Sequence, residues 1–291
     1  MTAVAAPAPG RAGALTFVRR NPTLTAGVVL LVLIGLVAVL APWLAPHPED
    51  AGTATHPFQV LRPPSHSHPF GTDLVGRDLL TRVMYGARLS LRIVIEVLLL
   101  AGLIGIPLGL VAAYAGGAVD QVIMRITDVF LAFPALLLSL AISFVLTPSV
   151  GNMTIAIAVT WWPWYTRLVR GEAASVITRP YVESAQTLGV SHTRVLFRHV
   201  LPNSMTPVIV QMSLDAGGIL LTAASISFLG LGAQDPTPEW GLMVSQGAQY
   251  FSTQWWFVTF AGLAILLTAI AFNLIGDGVR ELLDPRRVIT R

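Results

Sequence analysis

An all-helical integral membrane protein, with six transmembrane helices and both termini on the cytoplasmic side, is the fold this sequence predicts. Three observations lead there. Of 291 residues, 54% are hydrophobic and 11% charged, with a mean hydropathy of +0.70, whereas soluble domains average roughly 25% charged residues. Six apolar runs are each long enough to cross a hydrocarbon core of about 30 Å. The arginines divide unequally between the segments on the two sides of those runs.

Residues 1–22 are rich in Ala, Pro and Gly and carry Arg11, Arg19 and Arg20, which reads as a disordered cytoplasmic tail ending in a basic anchor. Residues 23–44 form the first apolar run. It is longer than the 7–15 residues of a signal-peptide core, so an uncleaved span is expected. Residues 45–87 are a Pro-rich loop holding four of the six His and the segment HPFGTDLVGRDLLTR. Thr72 is a candidate N-cap for an interfacial helix carrying Asp73, Arg77 and Asp78, with Asp73/Arg77 and Asp78/Arg82 at i,i+4. Residues 88–277 contain five more runs, near Leu89–Tyr114, Val122–Leu146, Asn152–Val169, Ser204–Leu231 and Gln254–Ile275, and a polar island at 178–203. A cytoplasmic tail is expected over 278–291.

With the N-terminus inside, 13 arginines fall on the inner segments and span ends. Four (Arg62, Arg77, Arg82 and Arg88) fall outside, all in the first loop. This asymmetry places the 178–203 island in the cytoplasm and residues 45–87 on the opposite side.

Several chemistries are excluded. The chain has no Cys, hence no disulfide, thiolate ligand or Cys nucleophile. All 18 basic residues are Arg, so neither a P-loop lysine nor a Schiff base can be built. There is no HExxH helix. The sequence NLIGDG around Asp277 lacks the glycine that would precede an intramembrane aspartyl-protease pair. His56, His66 and His68 lie in the Pro-rich loop, where solvated, non-ligand roles are expected. No metal site, no cofactor bound by this chain and no nucleic-acid partner are anticipated.

Charges inside spans are costly and usually face protein or water. Arg92 and Glu96, one helical turn apart, are expected to pair. Asp128 lies close to Arg125 and is expected to pair there, with a translocation-path role as the alternative. Asp215, beside Gly217 and Gly218, is the deeper candidate for a polar pathway. Trp161, Trp162 and Trp164 suit partly buried packing, with Trp161 a possible path residue. Pro107, Pro134, Pro163 and Pro207 free backbone carbonyls inside or near spans, which helices packed around a cavity tolerate best.

The island TRPYVESAQTLGVSHTRVLFRHVLPN is punctuated as two short helices. Pro180 suits a first turn and Glu183 its positive dipole end. Gly189 is a natural C′ residue. Ser191 can cap a second helix running to Val200 and stopped by Pro202-Asn203. Tyr181, Ala185, Leu188, Leu196 and Phe197 would leave an apolar patch among arginines, suited to docking another protein.

Glu183-Ser184-Ala185, Gly189 and Leu201-Pro202 resemble the EAA loop of ABC importer permeases, with Ser184 and His199 departing from the family pattern. RRNP before the first span, FGTDLVGRDLLTR, LAFPALLLSL, SFLGLGAQDPTPEWG and AFNLIGDGVRELLDPR are similar, in order, to the dipeptide/oligopeptide permease family, C-type subunit. The resemblance implies a type I ABC importer permease fold in the bacterial cytoplasmic membrane. It implies a non-catalytic pore subunit paired with a B-type permease. Two ABC ATPases would bind below, carrying ATP and Mg, and an extracytoplasmic solute-binding protein above. Coupling to the ATPases would run through Glu183, Ser184, Ala185, Leu188, Gly189, His199, Leu201 and Pro202. Peptides are the favoured substrate, with nickel or another small solute the alternative within the family. An intramembrane enzyme using Asp128 and Asp215, or a passive channel, are the competing classes.

Overall fold

The computed structural model describes residues 21–283, whose regular elements are helices joined by turns. The basic cluster Arg19-Arg20 with Arg11, and Arg286, Arg287 and Arg291, lie outside the described residues. Ten α-helices are present among those described: α1 (Pro22–Leu44), α2 (Leu79–Ala115), α3 (Gly117–Leu131), α4 (Ala135–Val145), α5 (Val150–Ile177), α6 (Pro180–Thr187), α7 (His192–Val195), α8 (Leu201–Phe228), α9 (Trp240–Ala248) and α10 (Trp255–Leu283). Four helical stretches are long and apolar enough to cross a membrane: α1, α2, the continuous run His192–Phe228, and α10. A fifth is reached if α3 and α4 count as one span, although they are bent by 86° at the break.

The break falls within the run expected near Val122–Leu146, at the proline expected to disturb it. Pro134 is the N-cap of α4 and contributes no backbone N–H, so the α3 ladder cannot run through it. α5 has the length of a span at 28 residues, but its TWWPWYTR stretch makes it less apolar than the others. α10 continues eight residues past the expected end at Ile275, so residues 278–283 are helix rather than tail.

The helix expected to start at Thr72 starts at Leu79. Asp78 is the true N-cap, its Oδ2 accepting from the Thr81 N–H at 2.8 Å. Residues 72–78 instead form a tight loop closed by a bridge between Thr72 and Asp78. In it Asp73 Oδ1 accepts from the N–H groups of Val75 and Arg77, both at 2.9 Å. The i,i+4 spacing of Asp73 and Arg77 is thus satisfied by a loop, not by a helical turn. The histidines of this segment are not all solvated as expected. His68 is buried, bonded to Asp78 Oδ1 at 3.1 Å and Gln59 Oε1 at 2.9 Å, and His56 meets Asp50 Oδ1 at 2.7 Å.

The bundle is centred on α2 and α5, with α8 against both, α10 packed chiefly on α8, and α1 against α10 and α2. Lipid tails are as apolar as Leu, so close van der Waals packing rather than water exclusion holds such helices together. Gly105 and Gly109 supply that closeness. A Cβ at Gly105 would sit 2.6 Å from the Trp162 carbonyl oxygen, and one at Gly109 2.6 Å from that of Thr166. The Thr166 hydroxyl bonds across to the Gly105 carbonyl at 3.2 Å. α9, between the last two apolar runs, is tucked into the bundle. Trp240 is buried against Gly86 and donates its indole N–H to the Val83 carbonyl at 2.9 Å.

Candidate functional site

The polar island folds as a helix, a glycine elbow and a second helix. α6 begins with Pro180 at its first turn and carries Glu183 there. Gly189 adopts φ +77°, a conformation that side chains with a Cβ resist. Around it the Gly189 N–H bonds to the Gln186 carbonyl at 3.0 Å and the Val190 N–H to the Ala185 carbonyl at 3.1 Å. This pair of bonds is the Schellman closure.

The second helix is not stopped by Pro202. It runs on through a π-helical turn, Leu196–Val200, into α8, making one helical run from His192 to Phe228. The Leu201 N–H reaches back five residues to the Leu196 carbonyl. The widened turn lies where Pro202, lacking an N–H, would strain an ordinary α-turn. Asn203 Nδ2 supplies a further donor, to the His199 carbonyl at 2.7 Å. The His199 ring lies 6.4 Å from that of Tyr181, so this departure from the loop pattern packs between the two helices.

The loop has an anchoring side and an open side. Val182, Val195 and Val200 are buried with Val169, Val176 and Val208 of α5 and α8, and Tyr114 at the end of α2 shares a 2.6 Å hydrogen bond with His192. Leu188 is 83% exposed, and Tyr181 and Phe197 are also exposed. Glu183, Ser184, Gly189 and Pro202 are exposed, while Ala185, His199 and Leu201 are half-buried. Leu196, expected on the open patch, packs toward the valines instead. A groove of about 560 Å³ lined by Ser191, Thr193, Arg194, Phe197, Arg198 and Pro202 runs along the second helix. The valines join the open side to α5 and α8, and an unbroken helical run continues from it into α8.

The intramembrane candidates separate. Arg92 Nε donates to Glu96 at 2.6 Å, as the spacing predicts. Asp128 pairs with Arg167 of α5, not with Arg125. Arg125 lies on α3 itself, three residues away, whereas Arg167 reaches across from the packed neighbour. One level along, Arg170 holds Asp120 through bonds of 3.0 and 2.5 Å. Asp215 Oδ1 accepts from Gln211 at 2.9 Å, and the buried Tyr165 hydroxyl of α5 faces the same carboxylate. Asp128 and Asp215 are thus engaged by different partners. Trp161 packs against the core, while Trp164 and Phe133 open onto a cavity of about 350 Å³ at the α3–α4 break. Asp120, Arg167 and the π-turn are missed by sequence reasoning; only the i,i+3 spacing of Arg167 and Arg170 hinted at a charged face on α5.

Residues 45–87 and 229–239 are joined by a buried ionic cluster. Arg77 Nε bonds Asp73 at 2.7 Å and its Nη2 bonds Asp235 at 2.8 Å. Arg82, fully buried, lies 3.5 Å from Asp73 and donates to the Pro236 carbonyl at 3.2 Å. Burial pulls the Arg77 guanidinium down, but its bonds to Asp235 and Asp73 outweigh this and hold it above its ordinary value. Burial likewise pushes the Asp235 carboxyl up, and Arg77 overrides it to hold the group below the usual range. Glu239 caps α9, accepting from the N–H groups of Gly241 and Leu242 at 3.0 and 2.8 Å. Here burial wins and the carboxyl is pushed up.

Residues 105–289 match the family described as binding-protein-dependent transport system inner membrane component, and residues 14–64 match the N-terminal TM domain of oligopeptide transport permease C. A probable D,D-dipeptide transport system permease protein of Escherichia coli is 46% identical over 91% of this chain and 88% of that protein. Dipeptide transport system permease proteins of Alkalihalophilus pseudofirmus and Escherichia coli are 42% and 43% identical, over 92% and 93% of this chain and 87% and 91% of theirs. With α3 to α10 and the loop between α5 and α8 inside the residues that the first of these families matches, the chain belongs to the binding-protein-dependent transport system inner membrane components.

Proposed function

We propose that this chain is the permease subunit of an ATP-driven importer of peptides, forming half of the translocation path. The names of its relatives point to dipeptides rather than to nickel or another small solute. In this reading six spans cross the membrane: α1, α2, the α3–α4 pair, α5, α8 and α10. α5 is included because 28 residues rise about 42 Å, more than the hydrocarbon core of about 30 Å. Both termini are cytoplasmic, as the arginine asymmetry supports, and the clasped segments 45–87 and 229–239 face outward.

The partners are a B-type permease subunit, two ABC ATPases that bind ATP and Mg, and an extracytoplasmic binding protein. The chain itself carries no nucleotide chemistry, consistent with its lack of lysine. One observation carries the reading. The loop 178–203 presents Glu183, Leu188 and Phe197 outward while its valines grip α5 and α8. An ATPase seated on the open side, in contact with Glu183, Ser184, Ala185, Leu188 and Gly189, would move both helices together through His199, Leu201 and Pro202. Linkage then requires that substrate-loaded binding protein bias ATPase closure in return.

The test is Glu183→Arg in the reconstituted complex. Substrate-stimulated ATP hydrolysis is lost while the chain still inserts and assembles; stimulation equal to that of the unsubstituted complex refutes the coupling role.

A further inference from the structure

We propose that the cavity at the α3–α4 break, with the Asp128–Arg167 pair beside it, is a substrate subsite for a zwitterionic dipeptide. The peptide's apolar side chain lies against Trp164 and Phe133, its carboxylate meets Arg167 and its ammonium meets Asp128. The inference rests on the peptide-importer reading above and adds the place in this chain where the cargo is touched.

The first argument is exposure. Trp164 is 52% and Phe133 57% exposed, while the neighbouring Trp162 is 7% exposed and packed edge-on to Phe130. The side chains of Arg167 and Asp128 are 50% and 48% exposed. Charges on transmembrane helices face a protein interior or water, not lipid. The chain's own packing covers only half of this pair, so this face of α3 and α5 turns toward the water-filled path.

The second argument is register. Thr160, Trp164 and Arg167 stand at i, i+4 and i+7 on α5, on one stripe. Asp128, Leu131 and Ala132 stand at i, i+3 and i+4 at the end of α3, and Leu131, Ala132, Thr160 and Trp164 all line the cavity. The ion pair therefore lies one helical turn from the cavity on both helices. From Trp164 to Arg167 the helix rises about 4.5 Å, within the reach of a dipeptide's two extended residues at about 3.4 Å each. The cavity of about 350 Å³ falls in the range of small-ligand pockets, roughly 300–1,000 Å³.

The third argument is chemistry. A dipeptide carries one cation, one anion and apolar side chains, and this face offers one anion, one cation and two aromatic rings. A half-exposed ion pair contributes little net stability, so its members can exchange each other for the peptide termini at little cost. The arginine fork suits a carboxylate. Neutral solutes and metal ions lack this pattern. The competing occupant of the same face is a helix of the partner permease subunit.

The test uses the whole complex. Because the chain has no cysteine, Phe133→Cys gives it a single thiol at the cavity. Reaction with a water-soluble maleimide is timed in the detergent-solubilised complex, with the dipeptide Gly-Phe added directly at millimolar concentration. The expected result is reaction without peptide and at least fivefold slowing with Gly-Phe. N-acetyl-Gly-Phe-amide, which lacks both charges, gives no slowing. Asp128→Asn or Arg167→Gln on the same background abolishes the protection. If Phe133→Cys fails to assemble, Trp164→Cys gives the same readout. A thiol that never reacts means the partner subunit fills the cavity, and this overturns the proposal. Equal rates with and without Gly-Phe, or equal protection by the blocked peptide, also overturn it. ATP-dependent uptake of Gly-Phe is measured in parallel on the unsubstituted complex in proteoliposomes. Its absence overturns the importer reading and the subsite with it, whereas uptake with an unprotected thiol overturns the subsite alone.

Discussion

Arg77 and Asp235, 158 residues apart in sequence, meet at 2.8 Å, and with Asp73 they clasp two loops that would otherwise be joined only through the bundle. The members are unequal. Arg77 and Asp73 are almost fully buried, whereas the Asp235 side chain is 52% exposed. Removing one partner of a buried pair leaves an uncompensated charge and costs roughly 3–5 kcal/mol, while an exposed pair is worth about 0–1 kcal/mol. Asp73→Asn therefore destabilises the chain by about 3 kcal/mol, and Asp235→Asn by less than about 1 kcal/mol. Thermal unfolding in detergent, followed by tryptophan fluorescence, checks the ranking; equal shifts would show that the clasp contributes nothing through burial.

Glu239 gives a pH dependence of definite sign. Burial holds its carboxyl above the ordinary value of 4.5, so the folded state favours the protonated form. Its contribution is fully present below the unfolded value and is lost as pH rises through the raised folded value. Gln mimics the neutral acid and does not titrate. The midpoint of the unsubstituted protein minus that of Glu239→Gln should become more negative as pH is raised from 4 to 8. A flat difference would mean that the two backbone N–H bonds cancel the effect of burial, and a difference that becomes more positive would mean that they dominate it.

Gly105 and Gly218 predict opposite outcomes for the same substitution. A methyl at Gly105 would meet the Trp162 carbonyl at 2.6 Å, whereas one at Gly218 meets nothing within 4 Å. Overpacking costs typically 1–3 kcal/mol, and Gly→Ala in an open helix position gains about 1 kcal/mol. In the isolated chain Gly105→Ala lowers the unfolding midpoint by separating α2 from α5, and Gly218→Ala raises it slightly.

The long helices were legible because uninterrupted apolar runs have few alternatives in a membrane, and the loop 178–203 because Pro180, Glu183 and Gly189 each act locally. What was not legible depends on neighbours. Asp128 has a candidate partner three residues away in Arg125, yet bonds Arg167, because α5 lies alongside α3 and no local pattern encodes that. Asp78 rather than Thr72 caps α2, since the side chain of Thr72 is drawn to the Gln59 carbonyl and Asp73 to the N–H groups of its own loop. Pro134 announced a disturbed helix but not its 86° size. Pro202 looked like a terminator, and the π-turn before it lets the helix continue.

A graded series at Gly189 separates conformational strain from steric obstruction in the loop. Its φ is +77° and a Cβ there would meet nothing within 4 Å, so Ala is penalised only for the left-handed backbone, by about 1–2 kcal/mol. Asn tolerates that region better and is penalised less. Pro cannot adopt a positive φ, loses the N–H that bonds the Gln186 carbonyl at 3.0 Å, and disfavours the helical conformation of Leu188 before it. If the elbow positions the open face of α6 against the ATPase, substrate-stimulated ATP hydrolysis should fall in the order Gly, Asn, Ala, Pro, with Pro abolishing it. Membrane insertion should be unaffected throughout, because the anchoring valines lie on either side of the turn. A series in which Ala and Pro lose stimulation equally would mean that contact with the partner, rather than the geometry of the elbow, requires the glycine.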